Sequence, residues 1–190
     1  MRTFFRFLAV LCVVWFSAAG AGEFNMSNRY AGTVLDHFQL DGSGNFTPVI
    51  LSEAEMKSTF GTAKLSVLSQ FAPDHGVAAC HDGEIPLNMI FARSITTFAD
   101  YSQLFISYDE GWICGTPGPA GVASYRGKVI GHIVGGTGRF VGATGTLESN
   151  FGGNDLSGPF VIGTDTELAI PFPGYGSFVG SSTGTVILPK

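Results

Sequence analysis

Apolar and polar residues alternate with a period of two along most of this chain, the signature of half-buried strands. Over residues 62–71, Ala63, Leu65, Val67 and Phe71 fall on one side, and Thr62, Lys64, Ser66 and Gln70 on the other. Over 121–134, Ala123, Tyr125, Val129 and Ile133 oppose Ser124, Arg126, Lys128 and His132. Leu147, Ser149 and Phe151 oppose Thr146, Glu148 and Asn150 in the same way. A first strand is expected over 29–40, where Tyr30, Gly32, Val34, Phe38 and Leu40 share a face that Asp36 interrupts. Leu87, Met89, Phe91 and Ile95 define another apolar face, interrupted by Arg93. Residues 104–108, the turn Asp109-Glu110-Gly111 and Trp112-Ile113-Cys114 read as a hairpin. Extended structure is also expected over 46–51, 160–170 and 178–188.

The one helical signal is Ser52-Glu53-Ala54-Glu55, a capping-box pattern opening a short helix that Gly61 stops. About eight strands, one short helix and turn residues every 8 to 15 positions define an all-β protein. A single antiparallel closed β-barrel of about eight strands is the expected architecture, because closure removes sheet edges exposed to pairing.

Between two of these strands lies Gly135-Gly136-Thr137-Gly138-Arg139-Phe140-Val141-Gly142-Ala143-Thr144-Gly145. Gly135, Gly136, Gly138 and Gly142 provide positive φ or close backbone approach at a tight corner. A dinucleotide cradle would need a helix after the glycines to receive the pyrophosphate. The alternation over 144–150 predicts a strand there, so the glycines read as architecture.

The first 21 residues carry Arg2 and Arg6, an apolar run over 7–16 and the small residues Ala19-Gly20-Ala21. This is the layout of a cleaved signal peptide, leaving 22–190 as one barrel domain. No stretch reaches the roughly 20 apolar residues of a membrane-spanning helix, so a secreted or periplasmic protein without stable membrane insertion is expected. Without the leader, 8 basic side chains face 15 acidic ones, and no basic cluster appears, which argues against nucleic-acid binding. Cleavage also leaves Cys80 and Cys114, expected to pair in an oxidising compartment. In the entropic account such a bridge contributes about 3 to 4 kcal/mol.

Familiar catalytic and metal signatures are missing. His37, His75, His81 and His132 form no metal spacing, and no metal or cofactor is expected. No Gly-x-Ser-x-Gly elbow occurs, Asp109-Glu110 reads as a turn, and Glu53 with Glu55 belongs to the cap. The sharper candidates are charges on apolar strand faces, since a charge inside a barrel is costly unless paired or used. Asp36 and Arg93 are therefore candidate ligand-binding residues, able to pair with each other or to hold a ligand's polar end. Tyr101, Tyr108 and Tyr125 are candidates for pocket hydroxyls or walls. Asn25 and Asn45 head glycosylation sequons, which matter only in a host that glycosylates.

The segment 133–140, with Gly142-Ala143-Thr144-Gly145 after it, resembles the Gly-Gly-Thr-Gly-(Lys/Arg)-Phe segment of plant dirigent proteins. It also resembles the related segment of the allene oxide cyclase barrel superfamily and of secreted bacterial proteins carrying GGTGRF-x-GATG. The resemblance implies an eight-stranded antiparallel barrel with a largely hydrophobic cavity, often dimeric or trimeric and frequently acting without a metal or nucleotide. Dirigent proteins tend to have Ala-Arg-Gly-Tyr where this chain has Gly142-Ala143-Thr144-Gly145, and no catalytic residue carries over. The expected function is binding of a small hydrophobic or phenolic ligand in the interior. The alternatives are a cofactor-independent cyclase, isomerase or coupling-guiding protein, and an extracellular interaction scaffold.

Overall fold

The structure, a computed structural model, describes residues 21–40, 46–74, 76–118, 121–155 and 174–189. The side chains of 36–40, 46–48, 118, 121, 123, 155 and 174 are outside that description, as are residues 1–20, His75, Asn45 and the stretch expected to be extended at 160–170. Eight strands follow one another: β1 (Gly22–Leu40), β2 (Phe46–Ser58), β3 (Gly61–Pro73), β4 (Ile85–Phe98), β5 (Gln103–Gly118), β6 (Gly121–Gly136), β7 (Thr144–Asp155) and β8 (Gly174–Leu188). Each pairs antiparallel with its sequence neighbours, and β8 pairs with β1, closing the barrel.

The short helix expected at 52–61 is absent. Ser52 to Ser58 belongs to β2, with Ala54 and Met56 buried and Glu53, Glu55 and Lys57 exposed. Four residues of capping-box composition also read as half a strand, and two long neighbours, β1 and β3, supply the ladder that decides between them. The one described helical turn is a 3₁₀ turn at Gly138–Phe140. The expected hairpin at 109–111 is instead a bulge inside the continuous strand β5: Tyr108 pairs with Gly131 and Glu110 with Ile130, leaving Asp109 extra.

Inward positions of β6, β7, β8 and β1 form cross-strand rows in which glycine and large side chains alternate. One row reads Gly127, Phe151, Gly180, Tyr30, and another Gly131, Leu147, Gly184, Met26. Toward the barrel ends the phase is inverted, as Tyr125, Gly153, Phe178, Gly32 and as Ile133, Gly145, Val186, Phe24. Each glycine makes room for a neighbour: a Cβ on Gly180 would lie 2.5 Å from Tyr30 Cζ, and one on Gly127 would lie 2.5 Å from Phe151 Cζ. The rings thus lie over the neighbouring strand's backbone.

One end of the barrel is plugged by aromatic rings. Phe140, fully buried on the 3₁₀ turn, packs against Phe98 at 4.9 Å and Phe60 at 5.5 Å between centroids. Arg139 lies over Phe98 and Phe140 at 4.8 and 5.0 Å, and its guanidinium donates to the Phe60 carbonyl at 2.9 Å. The glycine corner positions this plug. Gly135, Gly138, Gly142 and Gly145 all have positive φ, and a side chain on Gly136 would collide with the Gln103 carbonyl.

Gly180→Ala, which drives a methyl group into the Tyr30 ring, is expected to cost about 1 to 3 kcal/mol as an overpacking change. Ser181→Ala, on the exposed neighbour, is expected to stay within about 0.5 kcal/mol. Urea unfolding of the two variants checks the pair, and equal midpoints would contradict the packing described.

Candidate functional site

The alternation of glycine and large residues is broken once. Between the two glycine-containing pairs of rows runs Val129, Ser149, Ser182, Asn28, in which three of four inward residues are polar. Asn28, Ser149 and Ser182 are 5 %, 4 % and 5 % exposed, so this row is polar without solvent to satisfy it.

Its hydrogen bonds run across strands. Asn28 Nδ2 donates to Ser182 Oγ at 2.8 Å, and the Tyr30 hydroxyl shares a 2.5 Å hydrogen bond with Ser149 Oγ. Tyr30 reaches Ser149 because Gly180 lets its ring cross β8. A second phenol, Tyr108 of β5, shares a 3.1 Å hydrogen bond with Ser94 of β4, its ring lying beside Gly131. Among the described residues, Asn28 Oδ1 is the one buried side-chain polar atom without a partner.

Both phenols are held neutral. Burial pushes the Tyr108 hydroxyl up to about 12, opposed by the Ser94 hydrogen bond and reinforced by the Tyr30 charge. Burial also raises Tyr30, against the hydrogen bond from Ser149. No charged side chain occurs among the described buried residues, so this interior offers neutral donors and acceptors in an apolar setting.

The sequence candidates separate on this frame. Tyr108 is in the interior. Tyr125 is half-buried against the core at the barrel's other end, its hydroxyl 3.4 Å from the Ser177 carbonyl. Tyr101 is 86 % exposed at φ 62° in the β4–β5 turn, so it lines no interior. Arg93 is on the outer face and donates to the Ala92 carbonyl at 2.8 Å. A bulge causes this: Phe71 pairs with Met89 and Gln70 with Phe91, so Ile90 is extra and the inward set becomes Ala92, Ser94, Thr96 and Phe98. Asp36 pairs by backbone with Ile50 and Gly174, and its side chain is outside the described residues. Sequence reasoning missed Asn28, Ser149 and Ser182 as a site and used Tyr30 only to define a face. Their signal was polarity at inward positions of three strands, which becomes a cluster only once the register is known.

Other polar groups have structural work outside the barrel. Cys80 and Cys114 form a disulfide with Cα atoms 5.4 Å apart, fixing the β3–β4 connection to β5. Beside it Arg126 clasps Glu84 at 2.7 Å and the Ala79 carbonyl at 2.8 Å. Glu84 is held below the usual carboxylate range by the His81 backbone N–H and by Arg126. Cys80, Glu84 and Cys114 are close enough to share an ion, but the bridge occupies both sulfurs and the guanidinium faces the carboxylate. Among the described residues no helix is long and apolar enough to cross a membrane.

No family model matches this chain, and no curated protein matches it. Among solved structures it is similar to the pterocarpan synthase dirigent protein GePTS1, at 11 % identity over 85 % of each chain with a TM-score of 0.34. At that score the likeness carries no argument, and the class defined by the strand pairing is a closed, eight-stranded antiparallel barrel.

A tyrosine whose folded-state value exceeds the unfolded 10.0 contributes stability that is complete below pH 10 and is lost as pH rises toward the folded value. Unfolding free energy is therefore expected to fall between pH 10 and about 12. Tyr108→Phe should shallow that slope in urea titrations, and an unchanged slope would contradict the burial of this hydroxyl.

Proposed function

We propose that this protein is an exported small-ligand-binding barrel whose guest is held in the interior, apolar over most of its surface and polar at one point. The observation that carries this reading is the polar row of Asn28, Ser182 and Ser149, which interrupts the glycine and large-residue rows of this wall. Buried polar groups that could be replaced by valine or alanine lower stability unless fully satisfied, so their presence favours a use for them.

The inward residues of the opposite wall support the same reading. Ala54, Ala63, Ser69, Ala92, Ser94 and Thr96 are small and buried among the larger Met56, Leu65 and Phe71, and across the barrel the rings of Tyr30 and Phe151 lie over glycines. An eight-stranded barrel is just wide enough for its side chains to fill or to hold one small ligand, and small wall residues favour the second. The Phe60, Phe98 and Phe140 rings close one end of that interior.

A thermal-shift panel of small hydrophobic and phenolic compounds tests the proposal. A guest present at about 100 times its Kd is expected to add about 2.7 kcal/mol to unfolding. A melting temperature that moves with none of the panel would overturn ligand binding.

One observation favours a catalytic version, a cyclase or coupling-guiding activity. Asp36 occupies an even-numbered position of β1, in register with the buried Tyr30 and Val34, on the cross-strand row through Ile50, Ser69, Ala92 and Tyr108. For any guest found to be converted, Asp36→Asn is expected to abolish conversion and leave the guest's thermal shift intact; retained conversion would remove Asp36 from the chemistry.

A further inference from the structure

Resting on that reading, we infer that Asn28 is the specificity-determining residue of the interior: its Oδ1 accepts a hydrogen bond from an uncharged O–H or N–H group of the guest. Asn28 is 5 % exposed, and its amide is fixed on one side only, where Nδ2 donates to Ser182 Oγ at 2.8 Å. Oδ1 has no partner, although nearly all buried polar atoms of folded proteins have one. Exchanging the amide's oxygen and nitrogen does not remove the vacancy. It would leave an NH₂ unpartnered in place of the oxygen, and the network would still be one partner short.

The neighbouring groups do not fill the vacancy. Ser182 Oγ is engaged with Asn28 Nδ2, and Ser149 Oγ is engaged with the Tyr30 hydroxyl and lies 3.5 Å from the Ser181 carbonyl. In the orientation that the hydrogen bond to Ser182 defines, the missing component is a donor from outside the chain.

Charge complements geometry in defining that donor's class. Arg93, the cation that the sequence placed on an inward face, is on the outer surface, and the described buried residues include no lysine or arginine. An anion placed beside Asn28 Oδ1 would meet an acceptor and neutral phenols with no counter-charge, at a desolvation cost a neutral hydroxyl avoids. The site thus discriminates in two ways, for a donor over an isostere that only accepts and for a neutral group over a carboxylate. Sites built to hydrogen-bond a hydroxyl reject analogues lacking it because a buried partner is left unpaired.

Three probes of one ring system separate the terms: 2-naphthol, 2-methoxynaphthalene and 2-naphthoate, titrated into the full chain by fluorescence. 2-Naphthol is expected to bind at least about tenfold tighter than either of the others, the value of one hydrogen bond denied to a buried acceptor. Asn28→Leu is expected to bring 2-naphthol and 2-methoxynaphthalene to equal affinity. Asn28→Ser, which shortens the side chain, carries the same comparison where the leucine variant does not fold. Equal binding of 2-naphthol and 2-methoxynaphthalene to the wild-type chain would overturn the role of Asn28 and leave interior binding standing, as would a preference that survives both substitutions. Binding of none of the three would overturn both.

Discussion

Eight strands closed into a barrel have a fixed bore, and every inward side chain must fit within it or lie along its wall. From β6 to β1 this chain meets that constraint by cross-strand matching of glycine with bulk. Tyr30 lies over Gly180, Phe151 over Gly127, Tyr125 over Gly153 and Tyr108 beside Gly131. The glycines let rings spread over the neighbouring backbone, so they determine where the aromatic surface lies as much as the aromatic residues do. The same logic closes the end plugged by aromatic rings, where the positive-φ glycines of the 135–145 corner bring Phe140 onto Phe98 and Phe60.

How much of this was readable beforehand follows from the range of each signal. Period-two alternation is local, and it located strands and faces for β3, β6 and β7. Bulges are also local in structure, but their cause is the partner strand. The extra residues Ile90 in β4 and Asp109 in β5 shift the phase of everything after them, so Arg93 was read onto the wrong face and one strand was read as two. The capping box failed for a related reason: Ser52 to Glu55 satisfies a helical pattern over four residues, and β1 and β3 impose a strand over thirteen.

The candidate site is the least local feature of all. Asn28, Ser149 and Ser182 are separated by long stretches of chain and meet only through the β7–β8 and β8–β1 registers. Read singly, each is an ordinary polar residue in a strand with some glycine and serine. Tyr108 was readable as a candidate because an aromatic hydroxyl is conspicuous, whereas Tyr30 gains significance only from the glycine opposite it and the serine two strands away. Tyr101 failed as a candidate because a turn needs a left-handed residue there, and no apolar pattern distinguishes such a tyrosine from a buried one.

The polar row also bears on why the interior is not uniformly apolar. Glycine–bulk rows above and below it show that this sheet packs well without polar groups, and alanine or valine at 149 and 182 would fit inward positions of similar size. Replacing a buried polar pair by apolar groups of the same shape is often neutral or stabilising, whereas leaving one acceptor unsatisfied costs about 1 to 3 kcal/mol. Stability alone therefore favours losing Asn28 together with Ser182. A row that works against stability in the middle of an otherwise consistent core is where local rules are expected to yield to function. The protein's fold is explained by its glycines, and its function is to be sought where they are interrupted.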